Sequence, residues 1–130
     1  MHRRPDPQDL LSAVALFLRE QALPQLQGRA AYQARVAANM VDIVRRQLDL
    51  APAAEARELQ RLRQLLPCDG SLDELNALLC ERIADGRTDL HTPGLAEHLW
   101  QTTLDKLAVD QPGYESYRRE SAAADQEAHR

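Results

Sequence analysis

The most regular stretch of the sequence is YQARVAANMVDIVRRQL, residues 32–48. Its large apolar residues recur three or four positions apart, which is the period of an amphipathic α-helix. Ala37 and Ala38 are small enough to let a second helix approach closely. Four further segments show the same period, and none alternates as a β-strand does. We therefore predict an all-α fold, a compact bundle of about five helices with roughly antiparallel neighbours.

Prolines, glycines and capping residues set the limits of these five helices. Ala51-Pro52 is expected to end the second helix, Ser71 and Glu74 form a capping box, and Thr92-Pro93 is expected to begin the fifth helix. The predicted helices cover about residues 7–23, 29–48, 53–66, 72–85 and 93–109. Residues 1–117 are predicted to form one domain, and residues 118–130 a polar tail or a frayed helix.

Each predicted helix has an apolar face that we expect to be buried. The members of these faces in the first, second and fifth helices include Leu10, Val14, Phe17, Tyr32, Met40, Val44, Leu48, Leu95, Leu99 and Trp100. Cys80 lies in an apolar run and is also expected to be buried.

Composition and charge exclude several classes of function. The 130 residues carry a net charge of −4, so no overall field attracts nucleic acid or anionic lipid. No apolar run approaches the ~20 residues that cross a bilayer, and the first eight residues contain no apolar secretory segment. We therefore expect a soluble, cytoplasmic protein with reduced thiols, bound neither to nucleic acid nor to a membrane.

Motifs for catalysis and for cofactor binding are missing from the sequence. The five glycines lie scattered in turns and form no phosphate-binding loop. His91 and His98 are seven residues apart, which is not a helical metal-ligand spacing, and His2 and His129 lie near the termini. We predict no catalytic residue, no metal and no cofactor.

One polar stripe in the second helix is a candidate contact site. Arg35, Asn39, Asp42 and Arg46 follow one another at steps of three or four residues, so they share one side of the helix. Such a stripe can bind a carboxylate or a phosphate, because arginine offers a bidentate fork. It can equally be a structural hydrogen-bond network or a solvated helix edge.

A second candidate lies in the fifth helix, where Lys106, the only lysine of the chain, stands four residues before Asp110. The spacing favours a surface ion pair, while a catalytic lysine would need burial that the sequence does not indicate.

Three stretches carry a resemblance: PQDLL at residues 7–11, YQARVAAN at 32–39 and TLDKLAVDQPGY at 103–114. With them the chain resembles, over roughly residues 5–117, an uncharacterised family of small bacterial proteins with a domain of unknown function. Members of that family are often encoded near acyl-CoA dehydrogenases and kinase-like phosphotransferases of the aminoglycoside-phosphotransferase type. The resemblance implies that context and assigns no catalytic residue.

These observations favour a non-catalytic helical accessory protein that binds another protein, such as the phosphotransferase or acyl-CoA dehydrogenase of its operon. Residues 1–66 hold 10 basic and 7 acidic side chains, and residues 67–130 hold 6 and 13, so two copies could attract head to tail. The apolar faces are also wide enough for a homodimer. The alternative is a small-molecule binder or minor enzyme for an acyl or phosphorylated metabolite, with Arg35 and Lys106 holding the anion.

Overall fold

The computed structural model describes residues 4–129, and within them the chain is all-α, without a β-strand. The five α-helices are α1 (Pro7–Leu16), α2 (Gly28–Leu65), α3 (Leu72–Ala84), α4 (Leu95–Asp110) and α5 (Glu115–Ala128). The prediction of an all-α fold with five helices is therefore confirmed. Contacts divide the chain into two units, residues 1–49 and residues 50–130.

The longest element differs from the prediction, because Ala51-Pro52 does not end a helix. The predicted second and third helices are one helix, α2, with Pro52 inside it. A proline at this position removes the hydrogen bond to the carbonyl of Leu48. Leu48 and Pro52 are both exposed, so water can satisfy that carbonyl, and the alanines that flank the proline are strong helix formers.

The first unit is built from α1 and the first part of α2, which run antiparallel. Gln8 Nε2 donates to the carbonyl of Arg45 at 2.8 Å, and beyond the end of α1 the side chain of Arg19 reaches back to Asn39. The buried residues of this unit are all small: Ala15, Ala34 and Ala38. Close helix contact over Ala38 stays a prediction that this burial supports.

The expected burial of large apolar side chains in this first unit is wrong. Leu10, Val14, Phe17, Tyr32, Met40, Val44 and Leu48 are all exposed. The physical reason is the small interior of this unit, since alanines are its buried residues and leave little volume that leucine or phenylalanine could fill. The large side chains therefore lie outside the contact.

A wide π-helical turn, Phe17–Ala22, continues α1, and the short 3₁₀ segment Leu23–Gln25 follows it. The amide of Leu23 donates to the carbonyl of Leu18, five residues earlier. Pro24 has no amide hydrogen and therefore cannot continue the α-helical bonding pattern. The predicted end or kink at Pro24 corresponds to this change of helix type.

The second unit has the only cluster of large buried side chains within residues 4–129. Its members are Leu62 of α2, Leu66 directly after α2, Leu75 and Leu79 of α3, and Leu95 of α4. The oxygen of Ser71 accepts the amide of Glu74 and caps α3, as predicted. Cys80 is exposed, because it follows the buried Leu79 by one residue, about 100° around the helix.

The start of α4 also differs from the prediction, while the C-terminal segment is helical, which is one of its two predicted forms. Thr92-Pro93 precedes a loop glycine, and α4 begins at Leu95 behind Gly94, whose φ is +90°. An added Cβ at Gly94 would lie 3.3 Å from Leu65 Cδ2, so both the backbone conformation and the close approach favour glycine. Residues 115–128, which include most of the predicted tail, form α5, and α5 contacts α4 without a buried residue.

Replacing the internal proline tests the continuity of α2. We expect Pro52→Ala to raise the free energy of unfolding by about 1–2 kcal/mol, because it restores one backbone hydrogen bond and a better helix former. Urea denaturation followed by circular dichroism measures the change. Pro7→Ala is the matched control, since Pro7 occupies the first turn of α1 and should change stability by less than about 0.5 kcal/mol. A loss of stability in Pro52→Ala would contradict a continuous helix.

Candidate functional site

A polar cluster on one side of the first unit contains two of the residues that the sequence singled out. Arg19 Nη2 donates to Asn39 Oδ1 at 3.1 Å and to Asp42 Oδ2 at 2.6 Å. Arg45 Nη1 donates to the other oxygen of Asp42 at 3.1 Å. The pKa of Asp42 lies below its ordinary value, chiefly because of the hydrogen bond from Arg19 and then because of the charge of Arg19 and the contacts with Arg45. Burial acts on this pKa in the opposite direction. Asp42 is therefore ionised and holds both guanidinium groups in place.

The wide turn after α1 positions the main donor of this cluster. Arg19 lies within the π-helical turn and reaches two residues of α2, Asn39 and Asp42. π-Helical turns are rare in proteins and are frequent at functional sites. The sequence did not indicate Arg19, because a π turn has no composition signal of its own.

The polar cluster borders a surface cleft of about 300 Å³. The side chains that line it are Gln8, Arg19, Asp42, Arg45, Arg46 and Asp49. Three guanidinium groups and two carboxylates leave a formal charge of +1 around the cleft. The Nε atom of Arg45 is buried and has no hydrogen-bond acceptor within the described residues. The cleft thus offers more donors than acceptors.

The other candidate residues lie elsewhere. Arg35 is exposed, and it does not line the cleft, although Asp42 and Arg46 of the same stripe do. Lys106 and Asp110 are both exposed on α4, and the salt bridges of residues 4–129 do not join them, so the expected ion pair is wrong. Asp105 is instead the ion-pairing residue of α4, at 3.5 Å from Arg57.

A second polar cluster lies in the second unit, beside the leucine core. Arg61 Nε donates to His98 Nδ1 at 3.1 Å, and Arg61 Nη2 donates to Thr102 Oγ1 at 3.2 Å. Asn76 of α3 donates to Glu58 Oε1 at 3.2 Å. His98 is 2% exposed, so this cluster joins α2 to α4 within the interior of the unit.

The environment of His98 keeps its imidazole neutral. Burial lowers the pKa of His98 below the ordinary 6.5, the charge of Arg61 lowers it further, and Glu58 acts in the opposite direction. Because Nδ1 accepts a hydrogen bond from Arg61, the proton of the neutral ring resides on Nε2. His98 thus serves as an acceptor that orients Arg61.

The predicted burial on α4 is right for Leu95 and wrong for Leu99 and Trp100. Leu99 and Trp100 are exposed, whereas His98 is buried in register with Leu95. The signal that could have found this face is the spacing of Leu95, His98, Thr102 and Asp105, at steps of three or four residues. An apolar pattern did not reveal this face of α4, because three of those four residues are polar.

Within residues 4–129 the structure brings no three His, Cys, Asp or Glu side chains together as metal ligands. His2 lies outside the described residues. No helix in the described part of the chain has the length and apolarity needed to cross a membrane.

Comparison with known families gives one match, to a domain of unknown function over residues 24–114. The chain belongs to the DUF6285 family. The matched range covers most of α2, all of α3 and α4, and both polar clusters except for Gln8 and Arg19 at the cleft. The DUF6285 match includes the stretches 32–39 and 103–114 that carry the resemblance, while residues 7–11 lie outside it. No curated protein and no solved structure matches the chain.

The neutral state of buried His98 predicts a pH dependence of stability. The folded protein binds the His98 proton less readily than the unfolded chain does, so protonation favours unfolding. We expect the free energy of unfolding to fall as the pH drops below 6.5 toward the lower pKa of the folded state. Urea titrations at pH 7.5, 6.5 and 5.5 measure this slope.

The matched variants are His98→Asn and His91→Asn. His98→Asn keeps an acceptor for Arg61 but does not titrate, so its free energy of unfolding should lose part of its dependence on pH. At pH 7.5 its free energy of unfolding should be lower by about 1–2 kcal/mol, because the substitution changes the buried hydrogen bond with Arg61. His91 is exposed, and His91→Asn should keep the slope of the parent protein. An unchanged slope in His98→Asn would show that other groups cause the pH dependence.

Proposed function

We propose that the protein is a non-catalytic helical interaction domain that binds another protein. The observation that supports this proposal is the distribution of large hydrophobic side chains. Among residues 4–129, fifteen of them are exposed, whereas the buried ones are five leucines of the second unit. Single exposed hydrophobic residues are common, but clustered ones of this extent are typical of interaction surfaces.

The surface for a partner protein in the second unit lies on α4. Trp100, the only tryptophan of the chain, is 47% exposed, and its neighbour Leu99 is exposed as well. Tryptophan is enriched among the residues that dominate binding energy at protein interfaces. Residues 50–130 carry 9 basic and 15 acidic side chains, so a partner with an apolar pocket and a basic rim fits this unit.

The family context supports a choice of partner. We infer a bacterial, cytoplasmic protein that acts beside the phosphotransferase of the aminoglycoside-phosphotransferase type or the acyl-CoA dehydrogenase encoded near it. This rests on the resemblance through residues 32–39 and 103–114. In that setting the domain acts by binding, and the chemistry belongs to the neighbouring enzyme.

Direct binding of purified proteins tests this proposal. We expect the parent protein to bind the phosphotransferase or the dehydrogenase with a measurable Kd in isothermal titration calorimetry. Trp100→Ala should weaken the complex at least tenfold, because about 1.4 kcal/mol or more is lost with a central aromatic anchor.

Leu90→Ala is the matched control for this experiment. Leu90 is 74% exposed in the loop before α4, so its truncation removes a similar kind of surface without touching the helix face. Binding to neither enzyme would remove the proposed partners. Equal weakening by Trp100→Ala and Leu90→Ala would show that α4 is not the specific surface.

The cleft of the first unit favours a second candidate function, the binding of a small carboxylate or phosphate ligand. It replaces a site built on Arg35 and Lys106, because both of those side chains are exposed and neither lines the cleft. The supporting observation is the surplus of guanidinium donors, with Nε of Arg45 lacking an acceptor. Arginine binds such anions with paired hydrogen bonds.

Titration with inorganic phosphate and with acetate, followed by NMR chemical shifts, tests the cleft. We expect saturable shifts at residues 8, 19, 42 and 45, and about a tenfold weaker Kd in Arg46→Gln, since one charged contact is worth roughly 1.5 kcal/mol. Arg35→Gln removes the same charge from the same helix outside the cleft and should leave the Kd unchanged. Shifts that are not saturable, or are equal in both variants, would exclude an anion site there.

A further inference from the structure

We propose that the apolar side of the α1–α2 pair binds a second copy of this chain. The proposal rests on the proposed interaction function and identifies the partner of one particular surface. We call this surface the α1–α2 apolar face. Its exposed members are Leu10, Val14 and Phe17 at the α1 side, and Met40, Val44 and Leu48 on α2.

The helical register places these six residues on one side of the pair. Leu10, Val14 and Phe17 are spaced by four and three residues, as one stripe of a helix with about 3.6 residues per turn. Val44 lies about 160° around α2 from Asp42, whose carboxylate bonds Arg19. The same register, applied to two antiparallel helices, puts both stripes opposite the Arg19–Asp42 contact. The first unit thus has one polar and one apolar side.

The half-buried Leu11, Leu18 and Val41 lie between the two stripes in the same register, so the apolar face is continuous. Its six exposed members leave between 44% and 62% of their surface in solvent. Together with the half-buried residues, they expose on the order of 500 Å² of apolar area. Monomeric proteins seldom expose a continuous apolar patch of that size.

This area agrees with what a stable dimer needs. A standard interface buries about 800 Å² on each partner, of which a little over half is apolar. The apolar face therefore supplies the apolar part of one complete interface. A smaller ligand or a single peptide side chain would leave much of the face in water.

The charge of the face favours a second copy over an unlike partner. No arginine, lysine, aspartate or glutamate occurs among its nine residues, so two copies related by a two-fold axis meet without like-charge repulsion. The acidic residues of α1, Asp9 and Glu20, are outside both stripes in the register. A partner selected by charge would have no group on this face to recognise.

The thin interior of the first unit supplies a further reason. Its buried residues within the described part of the chain are three alanines, which bury little apolar area. A unit of this size gains stability from additional burial, and oligomerisation is a common way to obtain it. A second copy is present whenever the chain is made, so it can cover the face permanently.

Sedimentation equilibrium of the full chain between 1 and 100 µM tests the proposal. We expect a dimer throughout that range for the parent protein. Met40→Glu places a carboxylate on each face, and we expect at least a hundredfold weaker dimerisation. Because Met40 is 62% exposed in the single chain, the substitution leaves the folded monomer largely undisturbed. Val44→Glu is a second variant at the same face, and Arg35→Glu on the polar side is the matched control.

A charge exchange separates loss of the interface from loss of the fold. Met40→Glu and Met40→Lys should each be monomeric with unchanged helical circular dichroism, and their equimolar mixture should form dimers again. A parent protein that stays monomeric at 100 µM would overturn the proposal. If that monomer still binds its partner enzyme through Trp100, the proposed function stands. A dimer insensitive to both glutamate variants would also overturn the proposal, because its interface would lie elsewhere.

Discussion

The small interior of the first unit, in which Ala15, Ala34 and Ala38 are the buried residues, is the constraint on which that unit depends. Alanine lets the helix backbones approach, and it excludes larger side chains from the space between them. The apolar residues of both helices are consequently directed to the outside of the pair. Polar contacts between α1 and α2 supply part of the stability of this unit. Their contribution is small, because Arg19 is 41% exposed beside Asp42 and such partly solvated ion pairs contribute at most about 1 kcal/mol.

The interior of the second unit is filled by larger residues. Five leucines fill the space between the end of α2, α3 and α4, and the Arg61–His98 hydrogen bond lies beside them. The half-buried guanidinium of Arg61 is tolerated there because two of its nitrogens find acceptors, His98 Nδ1 and Thr102 Oγ1. The two units thus differ in how much of their own apolar surface they cover, and this difference is why we propose a self-association surface in the first unit.

Periodicity was sufficient to predict the all-α fold, since the apolar spacing of residues 32–48 depends only on local geometry. It was not sufficient to predict burial. The apolar spacing of Met40 and Val44 is the same whether these residues pack inside the chain or against another chain. The sequence shows which residues are hydrophobic, but it does not show what covers them. Pro52 led to a wrong prediction of a helix end. The penalty of an internal proline is a few kcal/mol, and the stability of a long helix made of good helix formers can exceed that penalty.

The candidate site was predictable in part. Helical spacing placed Asn39, Asp42 and Arg46 on one side of α2, and in the structure Asn39 and Asp42 accept hydrogen bonds from Arg19. Arg19, Arg45 and Gln8 could not be assigned to the same place, because their arrival depends on how two helices dock. His98 was overlooked since a buried polar residue interrupts the apolar pattern by which a core face is recognised.

The π-helical turn makes the length of its segment more important than its composition. Deleting one residue from residues 17–22 would let the turn relax to an α-helix, since a π turn contains one residue more than the α-helical path. The side chains beyond the deletion would keep about the register that they now have relative to α1, because the π turn itself takes up the extra residue. The wide turn that carries Arg19 to Asn39 and Asp42 would be lost. Point substitutions between residues 17 and 22 are therefore easier for this chain to accommodate than any change in their number.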